Sequence, residues 1–145
     1  MTTENYFAAE DAIIERIEQN VPDLKKVSGW VDLDSAFEAS AATPAAVVVY
    51  LGDRTPDSGQ AAALVEQKWC VALTVRAPQT AATQKAAREQ AGTLITQIVK
   101  CLHGWSPAAR HSEMVLSGGV QVRFYRGGIA VFGIPFAVRR PVLVR

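Results

Sequence analysis

The sequence predicts an α+β domain, a mostly antiparallel β-sheet with two main α-helices packed on one face. Three observations predict it. Apolar residues recur at the helical period in two segments, 4–20 and 81–103. Other segments are continuously apolar or alternate with period two, and Gly and Pro bound them. The order is helix, strand, strand, helix and then a meander, with two main strands before the long helix and three after it. That order lacks the strand–helix alternation of a parallel α/β sheet.

Residues 4–20 place Phe7, Ile13, Ile14, Ile17 and Val21 on one stripe. Thr2 or Thr3 can cap this helix, acids fill its first turns as the helix dipole prefers, and Pro22 stops it. Val27, Trp30, Val31 and Leu33 outline a short strand over 27–33. Residues 34–43 read as a loop, with room for a helical turn from Ala36 to Ala39. Ala46 to Leu51 is an unbroken apolar run between Pro44 and Gly52, the pattern of a strand buried on both faces. Gly52, Asp53, Pro56, Asp57, Ser58 and Gly59 then predict a long exposed connection over 52–63.

Leu64 to Ala77 alternates. Val65, Gln67, Trp69, Val71, Leu73 and Val75 share one face, and Glu66, Lys68, Cys70, Ala72, Thr74 and Arg76 share the other. The long helix over 81–103 carries the stripe Ala87, Ala91, Leu94, Ile95, Ile98 and Leu102. Thr80 suits its cap, Gly104 suits the left-handed residue after its end, and Lys100 and His103 suit the negative pole of its dipole. Glu113 to Leu116 follows as a short strand, and Ser117-Gly118-Gly119 as a turn. Val120, Val122 and Phe124 alternate with Gln121, Arg123 and Tyr125, and Gly127-Gly128 forms a hairpin turn. Ile129 to Val138 points Ala130, Phe132, Ile134, Phe136 and Val138 one way, and Pro135 predicts an edge strand or a bulge.

At 145 residues and 15.6 kDa, the chain fits one domain over 1–145 with a core of its own. Apolar residues make up 49% and charged residues 20%, which excludes disordered, collagenous and coiled-coil classes. No apolar run approaches the ~20 residues of a membrane helix. Glu4, Glu10 and Asp11 stand where a signal peptide carries positive charge, and Cys70 and Cys101 make no disulfide framework. The expectation is a soluble protein of a reducing cytoplasm.

The net charge of +1 conceals a division. Residues 1–89 hold thirteen acids and eight bases, whereas residues 90–145 hold seven bases and the single acid Glu113. Such asymmetry fits a solvated surface, contact between identical subunits whose opposite charges meet, or nucleic-acid binding by the basic half. The last ranks lowest, because the bases are scattered singly except at Arg139-Arg140.

Catalytic signatures are absent from the sequence. No GxGxxG or P-loop occurs, and Gly118-Gly119 and Gly127-Gly128 lie between strands rather than at the head of a helix. His103 and His111 lack cysteine partners at metal-site spacing. Cys70 and Cys101 read as small buried hydrophobes rather than nucleophiles. Ser106, Ser112 and Ser117 have no nucleophile-elbow context. Asp32 and Asp34 read as a solvated pair rather than as paired catalytic carboxylates. Trp69 fits a core position, and Trp105 fits a fold-back over the end of the long helix. Arg123-Phe124-Tyr125-Arg126 fits a strand face or subunit contact better than a base-stacking platform. A ring-forming structural subunit, a small enzyme with an unrecognised site and a nucleic-acid module therefore compete, and the first is favoured.

Four segments carry a resemblance. They are Pro44-Ala45-Ala46-Val47-Val48-Val49-Tyr50-Leu51-Gly52, the strand Glu66 to Arg76 opening Glu-Gln-Lys-Trp, the long helix with Gly92, and Leu102-His103-Gly104-Trp105-Ser106-Pro107. Together they resemble the tail terminator proteins of long-tailed bacteriophages, especially the Mu-like terminators, across nearly the whole chain. The resemblance implies a hexameric ring that caps the tail tube, ends its polymerisation and offers a surface to the neck of the head. It implies a place at the head-proximal end of the virion tail, after assembly in the host cytoplasm. The partners implied are further copies of this chain, the tube protein, a neck or head-tail connector protein and, in contractile tails, the sheath. It implies no catalysis, no cofactor and no membrane, with DNA passing unread through the lumen. The rival within the same setting is another neck component, a head-tail connector or tail completion protein. Charge and loop length nominate the interface residues. Asp53, Arg54, Asp57 and Gln60 are expected on a loop facing the tube or lumen. Arg123, Arg126, Arg139, Arg140 and Arg145 are expected to face an adjacent subunit or the neck.

Overall fold

The computed structural model describes residues 5–30, 42–77, 81–125 and 128–143. The expected α+β architecture is present, with two helices and one six-stranded, mostly antiparallel sheet among the described residues. The elements are α1 (Ala8–Asn20), β1 (Lys26–Gly29), β2 (Ala45–Ser58), β3 (Ala62–Arg76), α2 (Ala81–Leu102), β4 (Val115–Leu116), β5 (Gln121–Tyr125) and β6 (Ile129–Leu143). The order across the sheet is β1-β2-β3-β6, with β4 and β5 sharing the far side of β6. Among the described strands, only β1 runs parallel to its neighbour, β2. The other pairs are antiparallel.

The alternation in β3 builds the core. Val65, Gln67, Trp69, Val71, Leu73 and Val75 are all buried. Most of them join Ile13 and Ile17 of α1, Ala91, Leu94, Ile98 and Leu102 of α2, and Ile134, Phe136 and Val138 of β6 in one cluster. Both helices therefore cover the same face. Burying each large apolar side chain contributes about 1.5–3 kcal/mol, and Trp69 at 1% exposure is the largest of them. On the other face Val47, Ala72, Ile129 and Val131 form a smaller cluster.

The two helices meet through Arg16. Its Nε donates to the Cys101 carbonyl at 2.9 Å, and its guanidinium lies 5.3 Å from the centre of the Trp105 ring. A cation thus satisfies an otherwise unpaired carbonyl at the negative end of α2. Gly104 follows at φ +83°, as its position predicts, and Trp105 packs back against the core. The Gly104 and Met114 amides donate to the Met114 and Trp105 carbonyls, tying the helix end to the chain entering β4.

Several boundaries differ from the sequence reading. Helix α1 begins at Ala8 rather than at residue 4, with Phe7 at its cap and no side-chain cap bond. Strand β1 spans Lys26–Gly29, and the expected strand positions 31–33 lie outside the described residues. Ala45 to Val48 are buried on both faces, but Leu51 is 58% exposed. The helical turn at 36–39, the caps Thr2, Thr3 and Thr80, and Gly127 lie outside the described residues.

Pro135 does not mark an edge. It sits inside β6, paired with Cys70 of β3 in unbroken register. Its carbonyl accepts the Ser117 amide at 3.0 Å, so its nitrogen also faces the outer side of β6. There β6 passes from its pairing with β5, which reaches Gly133, to its pairing with β4, which starts at Phe136. The missing N–H therefore falls in a gap between strands, where no ladder bond is lost.

Candidate functional site

The connection expected over 52–63 is a β-hairpin arm. β2 continues to Ser58 and β3 starts at Ala62, so the chain reverses over residues 59–61, where the Gly59 amide donates to the Ala62 carbonyl at 2.8 Å. The residues that signal a loop occupy irregularities of this arm. The β2–β3 register slips by one residue between Tyr50 and Gly52, and Gly52 holds φ +118°, which a side chain would strain. It slips again between Arg54 and Asp57, where Pro56 lies. Turn-forming residues thus serve as bulges, and bulges bend and twist a hairpin without ending it. Residues 53–61 are exposed on both faces, so the arm projects beyond the helices. The end of β6, Pro141 to Leu143, pairs with Ala62 to Leu64 and supports its base.

Two polar clusters hold that base. The first lies on the sheet face away from the helices, where Arg54, Glu66 and Arg139 stand in register across β2, β3 and β6. Arg54 Nε donates to Glu66 Oε1 at 3.1 Å, and Arg139 Nε donates to Glu66 Oε2 at 3.0 Å. Glu66 is buried while both arginines remain half-exposed. Hydrogen bonds from Arg54 and then Arg139 hold its carboxyl below the usual carboxylate range. The cluster carries one negative charge and two positive ones, and its positive ends reach solvent.

The second cluster lies on the helix side and straps the N-terminal segment down. Tyr50 and Tyr6 both donate their phenolic hydroxyls to Asp53 Oδ2, which lowers the Asp53 carboxyl pKa. Burial first, and the Asp53 carboxylate second, push both phenols up. Gln67 Nε2 donates to the Tyr6 carbonyl at 2.7 Å, and Arg140 donates to the Asn5 carbonyl at 2.7 Å. Tyr6, Phe7, Trp30, Tyr50 and Trp69 pack edge-on and tilted around this strap, with neighbouring ring centres 5.0–6.5 Å apart.

The nine nominated residues thus fall in different places. Asp53, Arg54, Asp57 and Gln60 are exposed on the arm. Arg139 joins Arg54 through Glu66. Arg140 is 4% exposed and holds its own N-terminal segment. Arg123 lies on β5 opposite Val131, eight residues along β6 from Arg139, or roughly 26 Å at strand rise. Arg126 and Arg145 lie outside the described residues, as do Asp32 and Asp34. Glu66, Gln67 and Tyr6 were not nominated. Gln67 carried the one available signal, an amide on an alternating face that is otherwise apolar.

Among the described residues, groups with catalytic potential are dispersed. Burial raises the thiol pKa of both Cys70 and Cys101, away from the thiolate that a nucleophile needs. His103 Nδ1 accepts the Leu116 amide at 3.1 Å, and His111 Nδ1 lies 3.0 Å from the Ala109 carbonyl. Among the described residues, no three His, Cys, Asp or Glu side chains gather where they could hold a metal ion.

Comparison with known proteins agrees with this architecture. None of the curated proteins matches the chain. Among solved structures, a chain of the virion of a native gene transfer agent particle matches 95% of this chain and 100% of its own, with a TM-score of 0.51 at 15% identity. That likeness is one of fold. The family model of the phage tail terminator protein matches residues 3–142, nearly the whole sequence, and the chain belongs to that family.

Proposed function

We propose that this chain closes the head-proximal end of a phage-like tail as a ring, most simply a hexamer, that caps the tube, stops its growth and receives the neck. Family membership makes it a structural protein of a virion tail, and the finer roles are our reading. The observation that carries it is the projecting arm. A hairpin exposed on both faces has no role in its own core, yet the Arg54–Glu66–Arg139 cluster and the Tyr6–Asp53–Tyr50 cluster brace its base. Bracing lowers the entropy lost when such a segment binds, which favours docking to a repetitive surface. The tip residues Asp57 and Gln60 face the last ring of tube subunits in this reading. The half-exposed Arg139 faces a neighbour or the neck, whereas the buried Arg140 acts inside its own chain. DNA passes through the lumen without base contacts, and no cofactor takes part.

The test joins native mass spectrometry and negative-stain imaging of the purified protein, alone and with polymerising tube subunits. Wild-type protein is expected to form closed rings on tube ends and to narrow tube length. The double variant Asp57→Lys, Gln60→Glu is expected to keep its melting temperature and lose the capping. A wild type that leaves tube length unrestricted, or an arm variant that caps equally well, would overturn the reading.

A further inference from the structure

The two lateral sides of the molecule differ in a complementary way. Among the described residues, β1 ends the sheet on one side and β4 with β5 end it on the other. Helix α1 packs on the β1 side. Leu116 lies opposite Phe136, and Val122 lies opposite Phe132. Both phenylalanines face the helices, so Leu116 and Val122 do as well, yet they are 37% and 49% exposed. Val120 between them is also exposed. An apolar strip on an open sheet edge is a surface that proteins normally cover or blunt with charge. Lys100 places a positive charge beside this strip, and His103 adds a polar edge. His103 accepts the Leu116 amide, and Lys100 lies one turn earlier on the same face of α2, also exposed. Glu89 is exposed on the same face of α2 as Lys100, but three turns back along the helix, and Glu113 is the one acid after it in the sequence.

Helix α1 presents the counterpart. Phe7, Asp11, Glu15 and Glu18 lie on one solvent-facing row, and the ring of exposed Trp30 packs on Phe7. The one base of α1, Arg16, turns inward to Cys101 and Trp105, so this row is entirely acidic beyond its aromatic end. Strand β1 itself is blunted by exposed Lys25 and Lys26 and is a poor edge for strand addition. The matching surface is therefore the helix row rather than the strand.

We propose that the β4–β5 edge of one copy docks on the α1 row of the next copy, with Leu116 and Val122 against Phe7 and Trp30, and Lys100 and His103 against the acids. The two patches lie on opposite sides of one subunit, so the contact is head-to-tail, the kind that closes into a ring. Charge complementarity sets its register and rejects a like-with-like pairing. This contact rests on the ring reading above and specifies which surfaces make the ring.

The experiment is a charge swap read by native mass spectrometry at low and high salt. One variant reverses the acidic row (Asp11→Lys, Glu15→Lys, Glu18→Lys), and another reverses the rim (Lys100→Glu, His103→Glu). Each alone is expected to need about tenfold more protein to assemble, or not to assemble at all. Mixed in equal amounts they are expected to form rings of alternating copies, because each reversed row then meets a reversed rim. Val122→Arg, which leaves the charged partners in place, is expected to abolish rings while the monomer keeps its circular dichroism. Wild-type rings accompanied by variants that assemble equally well alone would overturn this contact and leave the ring reading standing. A wild type that forms no ring, in solution or on tube ends, would overturn both.

Discussion

Glu66 of β3 and Arg139 of β6 stand directly opposite each other in the sheet, and the Arg139 Nε donates to the Glu66 carboxylate at 3.0 Å. Arg54 of β2 holds the other oxygen, so one buried carboxylate links three strands at the root of the arm. Replacing it with Gln removes the charge and leaves two guanidinium groups side by side. Because both arginines are half-exposed and screened, Glu66→Gln is expected to lower stability by about 1–2 kcal/mol. The pKa of Glu66 is depressed in the fold. Its stabilisation is therefore present above the unfolded glutamate value of about 4.3 and is lost as pH falls through the lower folded value. Melting curves from neutral to acidic pH should show wild type losing its advantage over Glu66→Gln below that point. Parallel curves would mean that the carboxylate is not held as described.

The strap predicts the opposite pH dependence at the alkaline end. Tyr6 and Tyr50 have raised phenol pKa values, from burial first and the Asp53 carboxylate second. Their contribution is present below the ordinary tyrosine value of about 10 and is lost as pH rises through the raised values. Asp53→Asn is expected to bring both phenols down, measured by ultraviolet titration of the phenolates. Unchanged titration would remove Asp53 from the cluster.

Adjacent arginines on β6 should behave differently. Arg140 is buried and bonds the Asn5 carbonyl, so Arg140→Ala is expected to cost about 2–3 kcal/mol in urea unfolding. Arg139→Ala, at a half-exposed pair, is expected to cost about 1 kcal/mol or less. A double reversal of both residues would therefore confuse misfolding with lost assembly, and Arg139 alone is the informative position. The reverse order of costs would contradict the burial.

Two glycines of the long-helix region should respond with opposite sign. Gly104 sits at φ +83°, where alanine is strained, and Gly104→Ala is expected to destabilise by about 1 kcal/mol. Gly92 lies in the exposed interior of α2 with nothing within 4 Å of an added Cβ. Gly92→Ala is expected to stabilise by about 0.5–1 kcal/mol in thermal unfolding. If Gly92→Ala keeps the melting temperature unchanged or lowers it, the helix there is not regular.

The sequence by itself determined which residues face inward. The period-two pattern of Val65 to Val75 and the helical stripe from Ala87 to Leu102 report burial directly, because one-sided burial requires those spacings. Gly104 was legible for a similarly local reason, since helix ends need a left-handed residue. The motifs around Trp69 and Trp105 also pointed correctly to the family. Tertiary structure decided what Gly52, Pro56 and Pro135 mean. Each breaks a local rule, and each is tolerated because a partner strand shifts register or leaves a gap beside it. Tertiary structure also separated Arg139 from Arg140. The two are alike in sequence, but successive strand residues point to opposite faces, so one arginine reaches solvent and its neighbour is buried beneath the N-terminal strap.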